Sequence, residues 1–244
     1  MKEKEVFKKK KNLKTGIQWF YIKKISSTQL YLVELIKKGQ VTLPVGVWSE
    51  CQISGIGTKG RKWLGECGNF FCSVAFYQSH FPPMPEQGYS IYFGKLVATL
   101  LNRLGVGVIL KFPNDIYLPI KREKSPIVGN KKKQWEKSGE NREREIWERE
   151  EWEENWTEQR REWKREVKEG KIGKVGGILT QIFRDKLTGK PILVVGIGLN
   201  TQKEVGEFPA LNLSISNLQF LQQLEEVLKK PPRWEEILHK KGKI

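Results

Sequence analysis

The chain reads as an α+β protein, a mixed central β-sheet flanked by helices. Short runs rich in aromatic and β-branched residues outnumber the helical periodicities through its middle. The order of these segments is mixed, not a strict strand–helix alternation, which argues against a doubly wound parallel sheet. At 244 residues the chain can bury a real core and is most simply one domain with additions.

Ile17 to Ile22 is β-like, and Ser26-Ser27-Thr28 offers an N-cap for an amphipathic helix over Gln29 to Lys38 that stops at Gly39. Val45 to Trp48 is a strand leading into a glycine-rich loop, Gly55 to Trp63. Asn69 to Tyr77 has a buried-strand pattern, Pro82 to Pro85 breaks the chain, and Tyr89 to Leu104 is a helix ended by Gly105. Val106 to Phe112 and Ile116 to Leu118 are strands around Pro113-Asn114-Asp115. Lys174 to Ile182 and Ile192 to Gly198 are two more, joined by a hairpin turn at Asp185 to Gly189. Leu218 to Leu228 and the neighbourhood of Trp234 look helical.

The formal charge of +16 and the 30% charged fraction invite a nucleic-acid reading. Much of the excess sits in the terminal runs Lys2 to Lys14 and Lys229 to Lys243, and no helix-turn-helix, zinc-finger or RNA-binding aromatic pattern is visible. The basic balance therefore serves solubility and capture of an anionic ligand or acidic partner. Cys51, Cys67 and Cys72 are odd in number and lack CxxC spacing, so neither a disulfide framework nor a zinc site is indicated. The basic N-terminus has no apolar h-region and no segment is long enough to span a bilayer, so a cytoplasmic location is expected. Residues 121–171 stand apart, dense in Lys, Arg, Glu and Trp. Trp147, Trp152, Trp156 and Trp163 lie near helical periodicity there, which predicts a solvated, partly helical insertion in preference to a dedicated binding arm.

Four chemical signals stand in order. Ser27-Thr28-Gln29 opens a helix, where backbone N–H groups and hydroxyls can hold a small polar ligand. The loop Gly55-Ile56-Gly57-Thr58-Lys59-Gly60-Arg61-Lys62-Trp63 combines close backbone approach with charge and a flat apolar wall. Lys111 to Leu118 presents Asn114 and Asp115 on a rigid turn. Last come Lys174 beside Gly176-Gly177, and Gly196-Ile197-Gly198-Leu199-Asn200. Taken singly, Ser27-Thr28 is as much an N-cap as a binding element, the glycine pairs also fit close-packed strands, and a plain turn at Pro113-Asn114-Asp115 is disfavoured by the lysine before it and the apolar strands on both sides. As a set they fit a nucleotide-using transfer site, with a basic loop for phosphate, a carboxylate for a metal or amine, and a lysine for phosphoryl charge.

In this order the blocks resemble the biotin–protein ligases (biotin–[acetyl-CoA-carboxylase] ligases), whose loop ends GRKW and is followed by KWPND(L/I)YL, K(L/I)(A/G)GIL and G(I/A)G(I/L)N. The resemblance runs from about Ser26 to Asn200, interrupted by the insertion. It implies a biotin–lipoate ligase catalytic domain, class II aminoacyl-tRNA synthetase-like, over 1–200, with a short helical extension over 201–244. Neither the family's N-terminal DNA-binding domain nor a complete C-terminal β-barrel is expected. It implies that biotin and ATP, with Mg²⁺, give biotinyl-5′-AMP, and that biotin then passes to one lysine of a biotin carboxyl carrier protein. No specific DNA or membrane binding is implied, and members sometimes form homodimers through an edge strand.

By the same resemblance Lys174, Asp115 and Arg61 are the catalytic candidates. Ser27, Thr28, Gln29, Gln52, Gly55, Gly57, Lys59, Trp63, Gly176 and Gly177 would bind biotin. Lys59, Arg61, Asn114, Lys174 and Asn200 would bind the nucleotide. The chain departs from the family pattern at four places. Phe112 replaces Trp, Gln29 stands where Asn is usual, and Ile56 and Thr58 occupy two arginine positions of the loop. The second arginine helps to retain the adenylate, and Lys59 replaces its fork only as a point charge. Competing readings are a lipoate or octanoyl transferase of the same architecture, a basic nucleic-acid-binding module, and a degenerate ligase blocked by its insertion.

Overall fold

The computed structural model describes residues 16–120, 161 and 163–239. The chain falls into two compact units, Met1–Leu118 with Lys174–Ile244, and Pro119–Gly173. In the second, residues 163–168 form a helical turn closed at Gly170, and Ile120 N–H donates to Lys171 O at 2.7 Å. Trp147, Trp152 and Trp156 lie outside the described residues.

The first unit is built on a seven-stranded mixed sheet in the order β1-β2-β5-β9-β8-β7-β6. Its strands are β1 (Gln18–Tyr21), β2 (Val45–Ser49), β5 (Phe70–Tyr77), β6 (Ile109–Lys111), β7 (Asp115–Pro119), β8 (Ile172–Arg184) and β9 (Pro191–Leu199). β3 (Gly55–Ile56) and β4 (Lys62–Trp63) form a separate two-stranded ribbon inside the glycine-rich loop. β1 runs parallel to β2, whereas the β2–β5, β5–β9, β9–β8 and β6–β7 pairs are antiparallel. The helices are α1 (Thr28–Lys37), α2 (Glu86–Arg103), α3 (Asn217–Lys229) and α4 (Trp234–His239).

Alternation along the strands explains how the site arises. Leu193, Val195, Ile197 and Leu199 of β9, with Cys72, Val74 and Phe76 of β5, face the large core formed with α2 and α3. Ile192 and Val194, with Ala75, face the smaller core that includes Leu32 and Val33 of α1. The next two positions on that second face are Gly196 and Gly198, and Gly177 of β8 is in register with Gly198. The α1 face is thus apolar at one end and nearly bare of side chains at the other. A shelf follows directly from the pleat.

Two sequence expectations change. β6 begins only at Ile109, because Gly105 and Gly107 adopt positive φ (81° and 71°) and spend Val106–Val108 on the turn out of α2. Asn102 fixes that turn, accepting from Val108 N–H at 2.6 Å and donating to Val108 O at 3.1 Å. More importantly, Cys51 and Cys67 are joined as a disulfide, correcting the reading that no such bond was indicated. The reason is topological, since β2 and β5 are antiparallel neighbours paired at Ser49 and Phe71, so residues just beyond both strand ends meet.

Candidate active site

A cavity of about 150 Å³ opens on the glycine shelf. Its lining joins the first turn of α1, Gln52, the loop, the β7 start, Lys174 and the shelf. One end is polar and buried. Ser27 caps α1, its Oγ accepting from Leu30 N–H at 3.4 Å, and it also lines the cavity, so it serves both readings the sequence allowed. Gln52 Oε1 accepts from Thr28 N–H (2.9 Å) and Thr28 Oγ1 (3.2 Å), and Thr28 Oγ1 lies 3.0 Å from Ser73 Oγ.

Beside this chain sits Gln29, 4% exposed, with neither its amide nitrogen nor its carbonyl oxygen hydrogen-bonded. Its Oε1 lies 2.8 Å from where a Cβ on Gly196 would be. Buried polar atoms are nearly always satisfied, so an unpaired amide lining a cavity marks a place where a ligand supplies the partners.

The other end is charged. Lys174 Nζ pairs with Asp115 Oδ1 at 2.6 Å and stands 5.0 Å from the Trp63 ring centroid. Asn114 pins the turn that carries Asp115 to β8: its carbonyl accepts from Ile178 N–H (2.8 Å) and its Nδ2 donates to Ile178 O (3.1 Å). An ammonium has three donors, so Lys174 can keep Asp115 and still meet an anion. Burial, then the nearby Asp115 charge, push the phenol of Tyr117 up from its ordinary value.

Between the ends, Trp63 lies across the shelf. A Cβ on Gly198 would come within 2.9 Å of the indole, and one on Gly177 within 3.1 Å. At Gly198 a side chain would force the ring to shift, and at Gly177 the ring would have to give by a few tenths of an ångström. Arg61 folds back within the loop, donating from Nη2 to Thr58 Oγ1 at 3.1 Å. Lys59 has φ 59° and is exposed.

Of the predicted residues, Ser27, Thr28, Gln29, Gln52, Gly57, Arg61, Trp63, Asn114, Asp115, Lys174 and Gly177 line the one cavity. Gly55, Lys59, Gly176 and Asn200 do not. A side chain on Gly176 would meet Leu199 and Gly198 O, so that glycine packs the sheet. Asn200 Nδ2 donates to Pro209 O at 3.3 Å, while its Oδ1 is buried without a partner. Sequence reasoning missed Ser73, and it singled out the block Gly196-Ile197-Gly198 without giving either glycine a site role, although both line the cavity. Ser73 is a lone polar residue in an apolar strand, and that anomaly was the available signal.

No family model matches the chain. The fold is that of the biotin–protein ligase catalytic domain. Biotin acetyl coenzyme A carboxylase synthetase from Helicobacter pylori, solved with biotinylated ATP, superposes with a TM-score of 0.61 at 23% identity over 90% of this chain and 77% of that one. Biotin protein ligase from Leishmania major in complex with biotinyl-5-AMP gives 0.57 at 15% identity, covering 91% and 78%. In sequence the chain is 34% identical over 96 residues to the bifunctional ligase/repressor BirA of Escherichia coli (strain K12). That stretch is 38% of this chain and 29% of that protein.

Proposed function

We propose that this chain is an ATP-dependent biotin–protein ligase. The observation that carries the reading is the polarity of the cavity: a buried hydrogen-bonding end with an unpaired Gln29 amide, a bare shelf under an indole, and a cationic end at Lys174. Biotin has the matching profile of polar ureido head, apolar bicycle and chain, and terminal carboxylate. A lipoyl or octanoyl group has no polar head, and would leave Gln29 unsatisfied at a cost of about 1–3 kcal/mol per buried group.

In the first step the biotin carboxylate oxygen attacks the α-phosphorus of ATP and pyrophosphate leaves. Lys174 holds the two anionic partners together, and Arg61 turns from Thr58 to the phosphates. The Trp63 indole and the glycine shelf exclude water from the mixed anhydride. In the second step a carrier lysine amine attacks the acyl carbon and AMP departs. Asp115 orients that amine and accepts its proton.

Asp115 is the sole carboxylate in the cavity lining and is already paired to Lys174, so among the described residues the cavity offers no preformed cage for Mg²⁺. No step is assigned to a metal. A biotin carboxyl carrier domain is the proposed acceptor. Among the described residues no helix is long and apolar enough to cross a membrane.

The test is biotin-dependent ATP–pyrophosphate exchange, run against lipoate and octanoate. Exchange that requires biotin and falls by at least about a hundredfold in Lys174→Ala supports the assignment. Exchange with lipoate alone would move the chain to the neighbouring class.

A further inference from the structure

We infer that Cys51 and Cys67 form a redox-modification site, a reversible staple that sets how firmly the glycine-rich loop closes over the cavity. The loop between them supplies Gln52, Ile56, Gly57, Thr58, Arg61, Lys62 and Trp63, a third of the lining. Its two limbs are held unequally. On the Cys51 side, Ile53 N–H donates to Ile25 O (3.0 Å), Ser54 N–H donates to Ser26 O (2.8 Å), and Gln52 binds Thr28. On the Cys67 side, Leu64, Gly65 and Cys67 make no backbone–backbone hydrogen bond to another element among the described residues. The root of that limb is held just beyond Cys67, where Gly68 N–H donates to Glu50 O (2.6 Å), and the disulfide adds a covalent tether between this root and the loop.

The two sulfurs differ in access. Cys51 is buried and Cys67 is exposed, so an incoming thiolate meets Cys67 Sγ first. A small dithiol reductant is the co-reactant. One of its thiolates bonds to Cys67 Sγ, the S–S bond breaks, and Cys51 leaves as a thiolate that takes up a proton. The second thiol displaces Cys67, so that two electrons and two protons reach the protein and the dithiol ends as its own disulfide. Cys72 stays outside this exchange. It lies in the large core, where burial raises its thiol above the ordinary range and keeps it protonated.

The loop carries its own reporter, because trypsin cuts after Lys59, Arg61 and Lys62. The oxidised protein is expected to show one free thiol after unfolding and slow cleavage at these three bonds, read by mass spectrometry. Reduction with dithiothreitol should speed loop cleavage about tenfold, within what closing a loop of this length can contribute. Cys67→Ser, an exposed substitution, should match the reduced protein with or without dithiothreitol, and Cys51→Ser should agree with it. Three free thiols after treatment with oxidised glutathione, or equal loop cleavage in both redox states, would overturn the inference.

The consequence for ligand rests on the biotin reading: calorimetry with biotin should show weaker binding after reduction. Redox-dependent cleavage with no biotin binding in either state would retain the staple and remove the biotin assignment.

Discussion

Gln29→Leu separates what the pocket costs from what it does. The side chain is 4% exposed and both polar atoms of its amide lack partners in the free protein. Each such atom carries an unrecovered desolvation penalty of about 1–3 kcal/mol, and leucine removes both at similar bulk. Counting one atom in full and allowing the second to cover the imperfect fit against Gly196, the folded state gains about 1–3 kcal/mol. In a domain of this size that raises the melting midpoint by about 2–4 °C per kcal/mol. Binding moves the other way. Losing the hydrogen bonds that a ureido group makes to a buried amide costs about 1–3 kcal/mol, or a roughly 5- to 150-fold rise in the biotin dissociation constant. Thermal unfolding and titration calorimetry on the same preparation read both quantities. A variant that melts lower and still binds biotin at the wild-type affinity would refute the reasoning on both counts.

Other substitutions follow from the same geometry. Gly198→Ala places a methyl 2.9 Å from the Trp63 indole, and because that ring sits on a loop, the strain should fall on biotin affinity with the unfolding midpoint nearly unchanged. Gly46→Ala is the contrast, since its methyl runs into the buried Trp19 ring; denaturant unfolding should show a loss of about 1–3 kcal/mol. Thr58→Arg adds a guanidinium to the loop and should reduce biotin labelling of bystander proteins; unchanged labelling would count against the loop's role in retention. Asp185 is held below the ordinary carboxylate range, first by Leu187 N–H (2.8 Å), with Thr188 and the Tyr77 hydroxyl also donating to it. Its contribution is therefore present above the unfolded-state pKa and fades as pH falls through its lower native value. Asp185→Asn should flatten the acid limb of the stability curve.

Most strands and helices were legible because their periodicities are strong and local. Phe70–Tyr77 and Pro191–Leu199 are near-continuous apolar runs suited to central strands, and Ser27 announces α1 as an N-cap. Motif order alone assigns Lys174 and Asp115 to one site, and the two side chains pair in the structure. What stayed hidden depends on pairing register. Nothing local says that Gly177 lies opposite Gly198, or that Ser73 stands opposite Gly196 and so faces the cavity. Gly176 and Gly177 are neighbours in sequence, yet one packs the sheet and the other receives the indole, a difference set by the pleat. The disulfide was hidden for a similar reason, since cysteine spacing carries no information about which strand ends meet.

Asn217 buckles three parts of the molecule. At the start of α3, its Nδ2 donates to Gly68 O at 2.9 Å and its Oδ1 accepts from Thr201 Oγ1 at 2.8 Å. Asn69, next to Gly68, holds Lys203 through its own amide, donating to Lys203 O and accepting from Lys203 N–H, both at 2.8 Å. The stem of the glycine-rich loop is thereby moored to a helix that begins more than a dozen residues after the last recognisable block, at Asn217. A fragment that keeps this mooring must then extend past Asn217 into α3. An expression product trimmed at Asn200, where the motifs end, would keep every recognised block and lose the mooring that sets their spacing.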